Sequence, residues 1–160
     1  MPKELFGTDG IRGEPGKPPL DDATLYAVGR SLGAYLSRQH PAPRVLLGMD
    51  TRESGRHIAA LLGAGLNAAG ASFAFAGVIT TPGVAYLVRQ KGFQAGVVIS
   101  ASHNPFHDNG VKLFSSAGMK FPDSVEEILE EDIFKHQGDS PPKKVVRQDQ
   151  ARWEVDLSAC

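Results

Sequence analysis

Cysteine is almost missing: Cys160 is the one cysteine in 160 residues, so no internal disulfide can form, as in a reducing compartment. Long apolar runs are missing too. The purest one, residues 59–66, is less than half of the roughly 18 residues a membrane-spanning helix needs. Residues 1–10 contain no apolar signal region. These absences predict a soluble chain, cytoplasmic in location. An excess of either charge is also lacking, with 17 Lys plus Arg against 18 Asp plus Glu and a formal net charge of -1. That excludes the broad cationic surface required by nucleic acid or a membrane, so an acidic ligand has to be held by a local site. At 41% hydrophobic and 22% charged residues, disorder, collagen and coiled coil are excluded, and one globular domain with a real core remains. Turn-forming residues are plentiful, with 18 glycines and 11 prolines, which calls for many shaped loops.

Four stretches have helical periodicity. Leu25, Val28, Leu32 and Leu36 share one face, with Asp21 or Asp22 placed to cap and His40-Pro41 closing the segment. Ser54 is placed to cap a second helix that buries Ile58, Leu61, Leu62 and Leu66 and stops at Gly70, with Gly63 and Gly65 permitting close packing. A third opens at Thr81-Pro82 and turns Val88 with Ala85 or Leu87 inward. A fourth opens with a Ser124 to Glu127 capping box and buries Val125, Ile128, Leu129 and Ile133. Between them, residues 44–49, 72–75, 96–100 and 111–114 read as strands. The alternation predicts an α/β fold, a mixed sheet sandwiched between helices. Asp108-Asn109-Gly110 reads as a turn that returns the last strand antiparallel. After Gln137 the breaker cluster Gly138-Asp139-Ser140-Pro141-Pro142 marks a boundary, giving a domain over 1–137 and a linker or tail over 138–160.

Chemistry concentrates in the stretch from Ile99 through Ser100-Ala101-Ser102-His103-Asn104-Pro105 to Asp108-Asn109-Gly110-Val111-Lys112. It follows a buried-looking strand, where ligands of open α/β sheets commonly bind. A hydroxyl nucleophile needs a proton acceptor, and cations if it carries phosphate, and His103 and Lys112 suit those roles. The plainer reading is a polar surface loop whose Asx and Ser side chains cap turns. A Gly-x-Ser-x-Gly elbow is absent; Pro105 breaks the His103 and His107 pair as a helical zinc site, and no nucleotide-binding P-loop occurs. Phe6-Gly7-Thr8-Asp9-Gly10-Ile11-Arg12-Gly13 is a glycine-rich turn whose Arg12 carries a planar donor fork suited to phosphate, or is simply solvated. In Gly48-Met49-Asp50-Thr51-Arg52-Glu53-Ser54-Gly55 a helix N-terminus follows a strand, and Asp50 and Arg52 are read as pairing to hold the loop.

In this order, the three segments, with Thr80-Thr81-Pro82, resemble the α-D-phosphohexomutase superfamily over residues 3–134, and within it the bacterial phosphoglucosamine mutases. The resemblance implies an enzyme that interconverts glucosamine 6-phosphate and glucosamine 1-phosphate, toward UDP-N-acetylglucosamine and the cell wall. It implies a phosphorylated serine at Ser102, directly before His-Asn-Pro, rather than at Ser100. It implies a phosphosugar substrate and Mg²⁺ bound through the phosphate on Ser102. Arg12 and Lys112 would lie beside that phosphate, and His103 would position groups or assist proton transfer. The superfamily has four domains, and its aspartate-rich metal loop, sugar-reading loop and substrate-phosphate loop lie in the later three, so this chain alone is expected to be inactive. The alternatives are a free-standing phosphate or phosphosugar binding module, or the same domain of a phosphomannomutase or phosphoglucomutase.

Overall fold

The computed structural model describes residues 3–142. The elements run β1 (Ile11–Gly13), α1 (Asp22–Ser37), β2 (Arg44–Met49), α2 (Gly55–Ala68), β3 (Ser72–Val78), α3 (Thr81–Lys91), β4 (Ala95–Ile99), β5 (Asn109–Ser115) and α4 (Asp123–His136). All five strands join one sheet in the order β1-β5-β4-β2-β3. β2 runs parallel to β3 and β4, while β5 is antiparallel to β4 and β1. The expected mixed sheet is therefore present, and helices cover both faces. Side chains alternate along a strand. Val45 and Leu47 of β2 join the large core with α1, α2 and α4, whereas Leu46 joins the smaller core under α3 with Val84, Leu87 and Val88. Two buried faces explain why β2 and β4 lack polar alternation.

Helices α1 and α2 touch backbone to backbone. A Cβ on Gly29 would lie 2.1 Å from Leu62 O, and one on Gly65 would lie 2.2 Å from Tyr26 O, so the close packing expected at Gly65 is met by a distance only glycine allows. Gly63 faces the Phe73 ring in the same tight manner.

Several local expectations are corrected by long-range partners. Asp21 does cap α1, accepting from Thr24 N at 3.2 Å. Ser54 holds the capping position of α2 but makes no cap, because its Oγ accepts from Asn109 Nδ2 at 2.8 Å instead. The cap of α3 is Thr80, one residue before the expected Thr81, and accepts from Gly83 N at 3.1 Å. The Ser124 capping box does not form: α4 starts at Asp123, after Pro122. Ile128 is 46% exposed, and Glu126 and Glu130 occupy the inner face beside Leu129 and Ile133. Both carboxylates find partners in the N-terminal segment, which helical periodicity cannot reveal. Asn109 and Gly110 are buried strand residues rather than a turn, because Gly13 and Arg12 of β1 pair with them. The second half of the expected glycine-rich turn is thus an edge strand. Of the expected tail, residues 143–160 lie outside the described residues, and Asp139 forms an ion pair with Arg30 of α1. Among the described residues, no helix is long and apolar enough to cross a membrane.

Candidate active site

The chain leaves β2 through α2 on one face and comes back to β4 through α3 on the other, placing β3 and β4 on opposite sides of β2. The loops at the carboxyl ends of the neighbouring strands β2 and β4 open onto a common crevice. Asp50 N donates to Ile99 O at 3.0 Å and sets the two loops side by side at its floor.

Ser102 stands in the loop after β4. Its hydroxyl accepts a hydrogen bond from Lys112 Nζ at 2.9 Å, and its side chain is exposed. Its backbone is left-handed, with φ at 51°, a conformation a non-glycine residue holds only when its surroundings impose it. On extended backbone Ser100 and Ser102, two residues apart, would point the same way, and the left-handed turn at Ser102 separates them. Ser100 is 9% exposed and its Oγ accepts from Ser102 N at 3.1 Å, so it braces the strained residue from within the fold.

Strand register brings the two expected cations together. Arg12 lies opposite Gly110, and Gly110 and Lys112 project from the same face of β5. A Cβ on Gly110 would meet Ser100 O at 2.6 Å and Arg12 Cγ at 3.2 Å, so only glycine admits the loop and the arginine together. Arg12 makes no hydrogen bond to Ser102. Its Nη1 donates to Asn104 Oδ1 at 3.1 Å, its Nη2 is 3.7 Å from Asp9 Oδ2, and its Nε is buried with no hydrogen-bond acceptor among the described residues. His103 is exposed and forms no hydrogen bond or ion pair among the described residues, so the structure gives it no contact with the Ser102 hydroxyl.

The pairing expected of Asp50 and Arg52 is present, Nε to Oδ2 at 3.0 Å. Sequence missed what the rest of Arg52 does: its guanidinium reaches the carbonyls of Ser102, Asn104, Pro105 and Asp108. A hydrogen-bonding arginine between a strand and a helix was visible, but partners some fifty residues away were not. Together these loops line an open cleft of about 780 Å³ that includes Glu14, Asp50, Arg52, Ser102, Asn104 and His107. Among the described residues, no group of three or more His, Cys, Asp or Glu side chains could hold a metal ion. The bare Ser102 hydroxyl, with an ammonium group at 2.9 Å, does not make a Mg²⁺ site with these residues.

The family model described as phosphoglucomutase/phosphomannomutase, alpha/beta/alpha domain I, matches residues 3–139. The chain belongs to this family. As a phosphoglucomutase/phosphomannomutase domain I, it is similar to the phosphoglucosamine mutase of Solibacter usitatus, 55% identical over 84% of this chain and 30% of the relative. It is likewise similar to that of Koribacter versatilis, 48% identical over 94% of this chain and 35% of the relative. A solved structure of a putative phosphomannomutase from Thermus thermophilus superposes with a TM-score of 0.70 at 26% identity, covering 89% of this chain and 31% of that one. The chain spans about a third of the length of the curated relatives it matches.

Proposed function

We propose that this chain is the phosphoserine domain of a phosphoglucosamine mutase, with Ser102 carrying the transferred phosphoryl group. The observation that supports it most is the Lys112 Nζ to Ser102 Oγ hydrogen bond of 2.9 Å, on an exposed, conformationally strained serine at the crevice. The names of the relatives support the substrate class: glucosamine 6-phosphate and glucosamine 1-phosphate. In the forward half, the Oγ–P bond of phosphoserine breaks as an O–P bond forms to a hydroxyl of the sugar monophosphate, and the proton of that hydroxyl ends on Ser102 Oγ. The bisphosphate turns over in the site. Its other phosphoryl group then passes to Ser102 Oγ as that sugar O–P bond breaks, and the Oγ proton ends on the freed sugar oxygen.

Lys112 is suited to both halves: its N–H stabilises charge on Oγ when the serine is the leaving group, and its cation offsets the phosphate dianion. Arg12, fixed through Asn104, adds positive potential at the same edge. His103 is free in the turn to position the incoming sugar or assist the proton transfer. A metal at a phosphorylated Ser102 would need carboxylates from outside the described residues. Sugar recognition likewise falls to other parts of the longer relatives.

Intact-mass measurement of the chain purified from cells, with the modified residue located, tests the reading directly. Phosphate on Ser102 supports it, and phosphate confined to another residue overturns it. The chain alone is expected to melt cooperatively yet give no turnover of glucosamine 6-phosphate in a coupled assay. Placed in the Solibacter usitatus relative in exchange for the matching segment, it should support transfer that Ser102→Ala abolishes and Ser100→Ala does not.

A further inference from the structure

We infer that Arg52 is a positioning residue that imposes the shape of the serine loop, and through it the direction of Ser102 Oγ, without touching the phosphoryl group. The inference rests on the reading of Ser102 as phosphoryl carrier. Each N–H of the guanidinium is used. Nε donates to Asp50 Oδ2 at 3.0 Å, Nη1 to Pro105 O at 2.6 Å and Asp108 O at 3.1 Å, and Nη2 to Ser102 O at 3.0 Å and Asn104 O at 3.1 Å. The fork is itself clamped, because the other oxygen of Asp50 accepts from Arg52 N at 3.0 Å. The side chain is 11% exposed.

Residues 102–108 have no helix or strand to order them, and four of their carbonyls converge on this one cation. A residue at positive φ persists only where its surroundings over-determine it, and the bond to Ser102 O acts on that residue's own carbonyl. Peptide planarity adds a second consequence. With Ser102 O drawn to the guanidinium, the N–H of His103 is turned away from it, so the loop directs an amide rather than a carbonyl oxygen to the opposite side. The Asp50 carboxylate balances the charge of Arg52, which sets it apart from Lys112: one organises the backbone, the other answers the charge on Oγ.

Arg52→Lys keeps the cation and removes the planar fork; three donors on one atom cannot span carbonyls spread over seven residues. In the exchanged full-length enzyme, kcat should fall about 100-fold with KM essentially unchanged, the mark of misplaced reacting groups. In the 160-residue chain, NMR should show Ser102 losing its positive-φ chemical shifts and residues 103–108 losing order, while the melting temperature stays close to wild type. Guanidinium ion added to Arg52→Ala should restore part of the transfer. Wild-type kcat together with unchanged loop shifts in Arg52→Lys would overturn the inference. If that variant does not fold, Asp50→Asn, which loosens the clamp, is scored by the same two readouts. Transfer that survives Ser102→Ala would refute the carrier reading instead, and the loop shifts would still decide the role of Arg52.

Discussion

Two irregular segments of this chain each have several backbone groups gathered by one charged side chain, with the chemistry inverted. Arg52 gathers four carbonyls of the loop that bears Ser102. Glu130 of α4 gathers three amides, the N–H groups of Glu4 and Phe6 at 3.0 and 2.9 Å and that of Leu5 between them. The difference lies in what each leaves outside. Glu130 is 6% exposed and draws Phe6 into the core at 3%, so its hydrogen bonds seal the domain. Arg52 holds backbone while Ser102, His103 and His107 stay exposed and Phe106 reaches 89%. An ion that ties down backbone and buries the side chains seals the core, whereas one that ties down backbone and releases the side chains leaves them open to the crevice.

The largest expected effect breaks the comparison on its functional side: Arg52→Lys lowers transfer about 100-fold, while Glu130→Gln leaves transfer intact. If both variants lose transfer equally, the distinction between site and seal fails. Glu130→Gln shows its effect in stability. It sets an amide group among three N–H donors in a nearly closed site, which should cost about 2 kcal/mol, read as a melting temperature lower by roughly 5–10 °C. A melt unchanged from wild type would show that the amides are served equally well by water.

Smaller effects separate the two cations at the serine. The ³¹P titration of the phosphorylated chain should shift upward in Lys112→Met, toward the unperturbed second phosphate pKa of about 6, because an opposing cation favours the dianion. Arg12→Met should shift it less, since Arg12 bonds Asn104 rather than Ser102. Equal shifts would place Arg12 nearer the phosphate than its hydrogen bonds do.

The smallest effect concerns the outer end of the Glu130 clasp. Asp123 is held below the usual carboxylate range by its hydrogen bond from Lys3, and Lys3 is raised, first by Asp123 and then by Glu126. The contribution of Asp123 is present above the ordinary carboxylate value and disappears as pH falls through its lowered one. That of Lys3 is present below the ordinary lysine value and disappears as pH rises through its raised one. Stability curves of wild type and Lys3→Met should therefore run apart at neutral pH and converge below about pH 4 and above about pH 10. The gap should be small, because Asp123 is largely solvent-exposed and Lys120 also reaches Glu126 at 3.2 Å. Parallel curves across the whole range would show that the pair contributes nothing.

Local pattern was a good guide wherever local forces rule. The apolar spacing from Leu25 to Leu36 and the Asp21 cap located α1, and Arg44–Met49 was legible to the residue because a strand buried on both faces leaves an unbroken apolar run. The crowding of reactive residue types after a buried strand singled out the loop with Ser102 and Lys112, and the fold does bring those two side chains together. Pattern misled at α4, where Glu126 and Glu130 turn inward and Ile128 outward, since a carboxylate gains an inner face only when donors arrive from another part of the chain. It misled at Asn109-Gly110 too, because turn propensity is blind to the β1 backbone that pairs there.

Composition and periodicity by themselves determined the α/β class with its mixed sheet, whereas the expectation that Ser102 rather than Ser100 carries phosphate came from the resemblance to known motifs. Tertiary structure alone decided that Arg12 reaches Asn104, that Lys112 meets the Ser102 hydroxyl and that Arg52 collects the loop carbonyls. The reason is distance along the chain: helical and strand periods report neighbours a few residues apart. These contacts join residues 10 to 92 positions apart and exist only once the strands have taken their order in the sheet.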